Sequence, residues 1–176
     1  MTPSTHARIS VEDYLRRSEK PNCEYRDGEL YPKPKPTLLH SLMEFVLQVL
    51  LRSHGLQAAA ETTVQLGPHR FLVPDVIASS SLRSPYPTDP VQLCIEILSP
   101  DDRLGATLAK CEEYHGWGVP FCWVLDPVKQ VEWQYDAGGE PVRVDRQGTL
   151  RGGELALSMD HIFSEVERAL AGSQGL

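Results

Sequence analysis

The chain has 176 residues, 41 % hydrophobic, 23 % charged and 7 % aromatic, a balance that excludes a disordered acidic tail and a membrane-embedded protein and fits one domain over residues 1–176 burying about 70 % of its unfolded surface. Seventeen Lys and Arg against 24 Asp and Glu leave a net charge of -7 and a pI of about 5.3, which excludes coating of nucleic acid through bulk charge, so any such contact is local or carried by a metal ion. No apolar run reaches the roughly 18 to 20 residues of a membrane span, and the opening MTPSTHARIS lacks the basic-then-apolar pattern of a secretory signal, so the expected location is cytoplasmic.

Residues 10–19 open on Ser10 with Asp13 three positions later, an N-cap pattern that predicts a short helix with Val11, Tyr14 and Leu15 inward. The segment EYRDGELY at 24–31 predicts a hairpin, because Asp27-Gly28 tolerates the positive φ angles of a tight primed turn. The run PKPKP at 32–36 is a stiff, extended connector. Dense apolar residues over 38–52 predict a buried helix, with His40, Glu44 and Gln48 as one narrow polar stripe. Two strands follow, 57–66 and 70–79, joined as a hairpin by Gly67-Pro68-His69. After a Ser/Pro-rich loop, 91–98 is an apolar central strand, Ser99-Pro100-Asp101 starts a helix over 102–116, and 121–125 is another buried strand. That intervening helix makes the two strands parallel neighbours. Val131, Trp133 and Tyr135 alternate with polar residues over 130–136 as a half-exposed antiparallel strand. Weak strands near 142–145 and 154–157 precede a helix over 159–170 capped by Ser158. The expected fold is an α/β or α+β mixed sheet with helices on both faces.

Four cysteines, at 23, 94, 111 and 122, form no C-x-x-C pair, and six scattered histidines form no zinc-hydrolase motif, so the thiols read as reduced and mostly buried. Trp117, Trp123 and Trp133 read as packing rather than as base-stacking platforms. The conspicuous residues are Asp75 and Glu96, carboxylates inside apolar strands, where an uncompensated charge costs several kcal/mol. Pro74 removes a backbone donor beside Asp75 and marks an irregularity that turns the acid outward. Lys110 borders the apolar face of the crossover helix, within reach of the sheet or in solvent. Two carboxylates beside one ammonium suit phosphodiester hydrolysis, in which hard oxygen ligands hold Mg²⁺ and the ammonium offsets charge developing on phosphorus. Salt bridges at the sheet edge are the plainer account of the same residues.

The ordered segments EYRDGELY, the helix beginning at His40, PDV at 74–76, CIEILSPDDR at 94–103, K-x-x-x-Y at 110–114, GVPFCWVLDP at 118–127 and GELALSMDHIF at 153–163 resemble the Uma2 family, also known as DUF820. The resemblance covers roughly residues 10–165 and implies the PD-(D/E)XK restriction-endonuclease-like fold, a central mixed sheet flanked by helices. It implies that Asp75 and Glu96 are metal ligands and that the catalytic set is Asp75, Glu96 and Lys110. The chain departs from the wider pattern at Leu98, where E-x-K would place its lysine, so the resemblance assigns that ammonium to Lys110. Glu61, His40 and Glu44 stand where such folds add a further ligand, and Glu24 is a similar candidate; as plain residues they are hairpin surface and helix stripe. The resulting expectation is a DNA endonuclease using Mg²⁺, with Mn²⁺ as a substitute, and pairing as a homodimer. The alternatives are an interaction or nucleic-acid-binding module that keeps the fold without turnover, and a carboxylate-pair hydrolase acting on sugars.

Overall fold

Ser10 starts the first described helix as its spacing predicts: its hydroxyl accepts from the Asp13 amide at 3.0 Å, and α1 runs Val11–Arg16. The computed structural model describes residues 8–18 and 22–172, so Glu19 of the expected helix and most of the opening segment lie outside the described residues. Tyr14 of α1 is buried, but Leu15 is 41 % exposed rather than inward, because a helix this short has only one side against the body. Asp27 and Gly28 take φ angles of 50° and 95°, closing the expected hairpin between β1 (Cys23–Arg26) and β2 (Glu29–Pro32). After the proline strap, Thr37 accepts from the His40 amide at 3.2 Å and α2 runs Leu38–Ser53.

The 57–79 stretch is not one hairpin of two long strands. It divides into β3 (Gln57–Ala60), β4 (Val64–Gly67), β5 (Arg70–Leu72) and β6 (Val76–Ser79). Glu61 at φ 50° turns the first arm, and Pro74, with no N–H to extend a ladder, breaks the second. The outer halves join the first hairpin in a four-stranded sheet of order β2-β1-β5-β4. The inner halves enter the main sheet with β7 (Leu93–Ile97), β8 (Phe121–Asp126), β9 (Val131–Asp136) and β10 (Val142–Asp145), in the order β10-β9-β8-β7-β6-β3.

β7 and β8 pair in parallel, Glu96 opposite Val124, and the other neighbours pair antiparallel. The crossover between them is α3 (Leu104–Trp117). It starts later than the Ser99-Pro100-Asp101 signal predicts, because Asp102 accepts from the Ser99 amide at 2.7 Å and closes a loop instead of capping the helix. A small hairpin, β11 (Thr149–Gly152) with β12 (Leu155–Ser158), leads into α4 (Met159–Gly172). Helices therefore cover both faces of a mixed sheet. On one face α2 and α4 bury Leu47, Leu51, Ile162 and Phe163 against Ile95 and Trp123, each worth about 1.5–3 kcal/mol of transfer free energy. On the other, α3 packs Cys111 and Tyr114 over Cys94, Cys122 and Val124. All four cysteines are thiols rather than disulfides, and Cys23 alone is not fully buried. β9 departs from a half-exposed strand in that Glu132, on the face shared with Leu125, is fully buried.

Candidate active site

Each break in the 57–79 stretch delivers an acid to the same place. The Glu61 amide donates to the Asp75 carbonyl at 3.0 Å, pinning the two turns together. Asp75 is 3 % exposed, and its carboxylate accepts from the Ile97 amide at 2.6 Å and from Lys33 Nζ at 2.6 Å. Lys33 also donates to Glu61 at 2.7 Å and to the Val73 carbonyl at 2.9 Å, while Asn22 Nδ2 donates to the other Glu61 oxygen at 3.0 Å. From α2, His40 Nε2 lies 3.6 Å from both Asp75 and Glu44. Burial pushes the Asp75 carboxyl up, but His40 and the Lys33 charge outweigh it and hold the acid ionised, well below the usual carboxylate range. Burial works against charge on His40 as well, yet its two carboxylate neighbours push it up to about 10.

One strand further in, the side chain of Lys110 descends from α3 onto the sheet rather than pointing to solvent. Its Nζ is 2.6 Å from Glu24 and 2.9 Å from Glu96, and Tyr114, one turn on, donates to Glu96 at 2.7 Å. Burial pushes Glu96 up to about 7, with Lys110 opposing the shift, while the surrounding carboxylates overcome burial and hold Lys110 firmly protonated. Glu24 is kept ionised by Lys110 and Arg26, which outweigh its burial. Arg26 is braced in turn by Glu113 at 2.9 Å, and Arg70 Nε donates to the same Glu113 at 2.8 Å.

Between the two clusters lies one cleft of about 230 Å³, walled by the strap at Pro34 and Pro36 and by Asp102 and Arg103 of the loop before α3. Asp75, Glu96 and Lys110 converge there, together with Glu24, His40 and Glu61. Ligand atoms of His40, Glu44, Glu61 and Asp75 all lie within 4.8 Å of one another. Glu44 Oε1, which faces His40 Nε2, is buried without a hydrogen-bond partner. A hard-oxygen set with a buried oxygen unsatisfied by the protein, completed by His40 Nε2 once it gives up the proton that its acids favour, fits a divalent cation. Glu96 is not in that group; its partners are Lys110 and Tyr114. Leu98 packs in the apolar layer under α3.

Sequence reasoning missed Lys33, Tyr114 and Arg26. Tyr114 was visible as the second letter of K-x-x-x-Y, one helical turn after Lys110 and so on the same side. Lys33 carried no such signal, since flanking prolines made it read as part of a spacer. What pointed to it was the charge balance: several buried acids require more cations than Lys110 alone.

Among the described residues no helix is long and apolar enough to cross a membrane. No curated protein matches the sequence. The fold is similar to the crystal structure of a protein from Anabaena variabilis ATCC 29413 titled a putative nuclease belonging to DUF820, with a TM-score of 0.76 and 23 % identity over 90 % of this chain and 99 % of that one. The family model Uma2, described as "putative restriction endonuclease", matches residues 11–169, and the chain belongs to the Uma2 family.

Proposed function

We propose that the protein is a DNA endonuclease that hydrolyses phosphodiester bonds with a divalent cation, Mg²⁺ or Mn²⁺. The observation that carries this reading is the junction of a four-residue ligand cluster, His40, Glu44, Glu61 and Asp75, with an ammonium, Lys110, clamped between Glu24 and Glu96. Asp75 is the central ligand, Glu61, His40 and Glu44 complete its set, and Glu96 is the second carboxylate of the reacting centre. A hard dication bound there lowers the pKa of its water and neutralises phosphate charge. The chain's own residues do the rest. Glu24, Glu96 and Tyr114 fix the Lys110 ammonium so that it meets charge developing on phosphorus without reorganising. Glu96, whose carboxyl burial raises above the usual carboxylate range, is the group of this centre suited to take up and return a proton.

The test is cleavage of supercoiled plasmid and of single-stranded DNA with Mg²⁺ or Mn²⁺. Asp75→Asn is expected to abolish cleavage, and Lys110→Met to slow turnover by about two orders of magnitude with metal binding retained. If the folded parent cuts neither substrate with either ion, or Asp75→Asn cuts at the parent's rate, the reading fails. Metal-independent binding of DNA without turnover would favour the interaction-module reading, which the net charge of -7 and the lysine-free position at Leu98 otherwise support.

A further inference from the structure

We propose that Lys33 is a built-in competitor of the divalent ion: its ammonium occupies the carboxylate cluster of the metal-free protein and must leave for the ion to bind. The inference deepens the metal-dependent reading and rests on it. An ammonium has three N–H donors, and Lys33 commits one each to Asp75, Glu61 and the Val73 carbonyl, at 2.6, 2.7 and 2.9 Å. None remains to orient a water or a phosphate. Lys33 is thus saturated, unlike a lysine waiting for substrate, and two of its three partners belong to the cluster that fits a cation. Its side chain is only 13 % exposed, although it sits in a segment otherwise open to solvent, where Lys35 two residues on is exposed.

The backbone supports this role. Lys33 follows the last residue of β2, its amide bonded to the Asn22 carbonyl at 2.8 Å, and Pro34 and Pro36 keep the connection to α2 extended. The anchor stays in place while the four-carbon stem swings, so release needs a rotamer change rather than unfolding. Charge sets the direction of the competition. Glu24, Glu61, Asp75 and Glu96 line a cleft of about 230 Å³, Glu44 adds a carboxylate within 4.8 Å of the Glu61 and Asp75 oxygens, and a dication supplies twice the charge of the ammonium it displaces. Lys33 therefore compensates the acids in the absence of metal and sets the concentration at which metal takes over.

The experiment is calorimetric titration of Mn²⁺ into the parent, Lys33→Met and Lys33→Gln. A parent whose binding-competent state is a minor fraction has its affinity reduced by that fraction, so removing the ammonium is expected to tighten Mn²⁺ binding by about tenfold or more. Since either variant can lose stability through uncompensated acids, the second measurement uses the intact parent. Lys33 and Lys35 are acetylated with and without saturating Mn²⁺ and read by peptide mass spectrometry. Labelling of Lys33 relative to Lys35 is expected to rise with the ion. Equal or weaker binding by both variants, or a Lys33 that stays protected with Mn²⁺ bound, overturns the competitor role while leaving the metal site standing. Absence of binding by parent and variants alike at millimolar Mn²⁺ removes the metal reading itself, and this inference with it.

Discussion

Burial of a carboxyl has opposite outcomes at two places in this sheet, and the difference lies in the neighbours. Asp75 is buried beside Lys33 and His40 and stays ionised, whereas Glu132 is 0 % exposed, both its oxygens lack partners, and burial alone raises its pKa well above 4.5. Folding therefore takes up a proton at Glu132. Above the unfolded value the unfolded chain releases that proton and the folded one does not, so stability falls by about 1.4 kcal/mol per pH unit until the folded pKa is reached. Glu132→Gln keeps the shape and removes the titration. Urea unfolding from pH 4 to 8 is expected to show parent and variant alike at pH 4, with the variant ahead by about 2 kcal/mol or more at pH 8. Parallel pH profiles would mean that Glu132 is compensated. Alternation along 131–135 marks Val131, Trp133 and Tyr135 as one face but gives no sign that the other is covered too, because Glu132 sits between Leu125 and Val144, which join a core with residues of α4, distant in sequence.

At the scale of elements, local rules were legible and long-range partition was not. The Asp27-Gly28 turn and the Ser10 cap follow from residues adjacent in sequence, the parallel β7–β8 pair follows from the single helix that joins consecutive strands, and the structure has all of them. The division of 57–79 between two sheets depends on Glu61 adopting φ 50°, a conformation that Glu adopts only when tertiary contacts over-determine it. Residues 57–66 contain no Gly or Pro to announce a break, so that arm reads as continuous strand, whereas Pro74 marks the break in the other arm. The elements carrying the site also need exact endings. α3 ends at Gly118, whose φ is 117° and where a Cβ would stand 2.9 Å from Pro90 Cγ. Gly118→Ala is expected to destabilise by about 1–3 kcal/mol through the left-handed backbone and the clash together. Gly138, at φ 79° with nothing within 4 Å of a Cβ, serves as control, and its Ala variant should lose about 1 kcal/mol. Equal losses in urea midpoints would show that the Pro90 contact relaxes at no cost.

For the whole molecule, the site is where the two larger sheets exchange chain. Glu24 comes from the four-stranded sheet, Glu96 from the six-stranded one, and Glu61 and Asp75 from the two crossings between them. An ion held by Glu61 and Asp75 therefore ties both sheets, and unfolding either one releases it. A ligand that binds only the folded state stabilises it by about 2.7 kcal/mol at a hundredfold excess over its Kd. For a domain of this size each kcal/mol moves the midpoint by about 2–4 °C, so saturating Mn²⁺ should raise Tm by about 5–10 °C, and a chelator should reverse the rise. Asp75→Asn should show no metal-dependent shift, because it removes the ligand shared by the Ile97 amide, Lys33 and His40. Both sheets should melt in one step with metal bound, monitored through Trp123 in the main sheet and hydrogen exchange at Tyr25 and Phe71 in the smaller one. A metal-induced rise confined to one sheet would place the ion to one side of the junction and take Glu61 or Asp75 out of its ligand set.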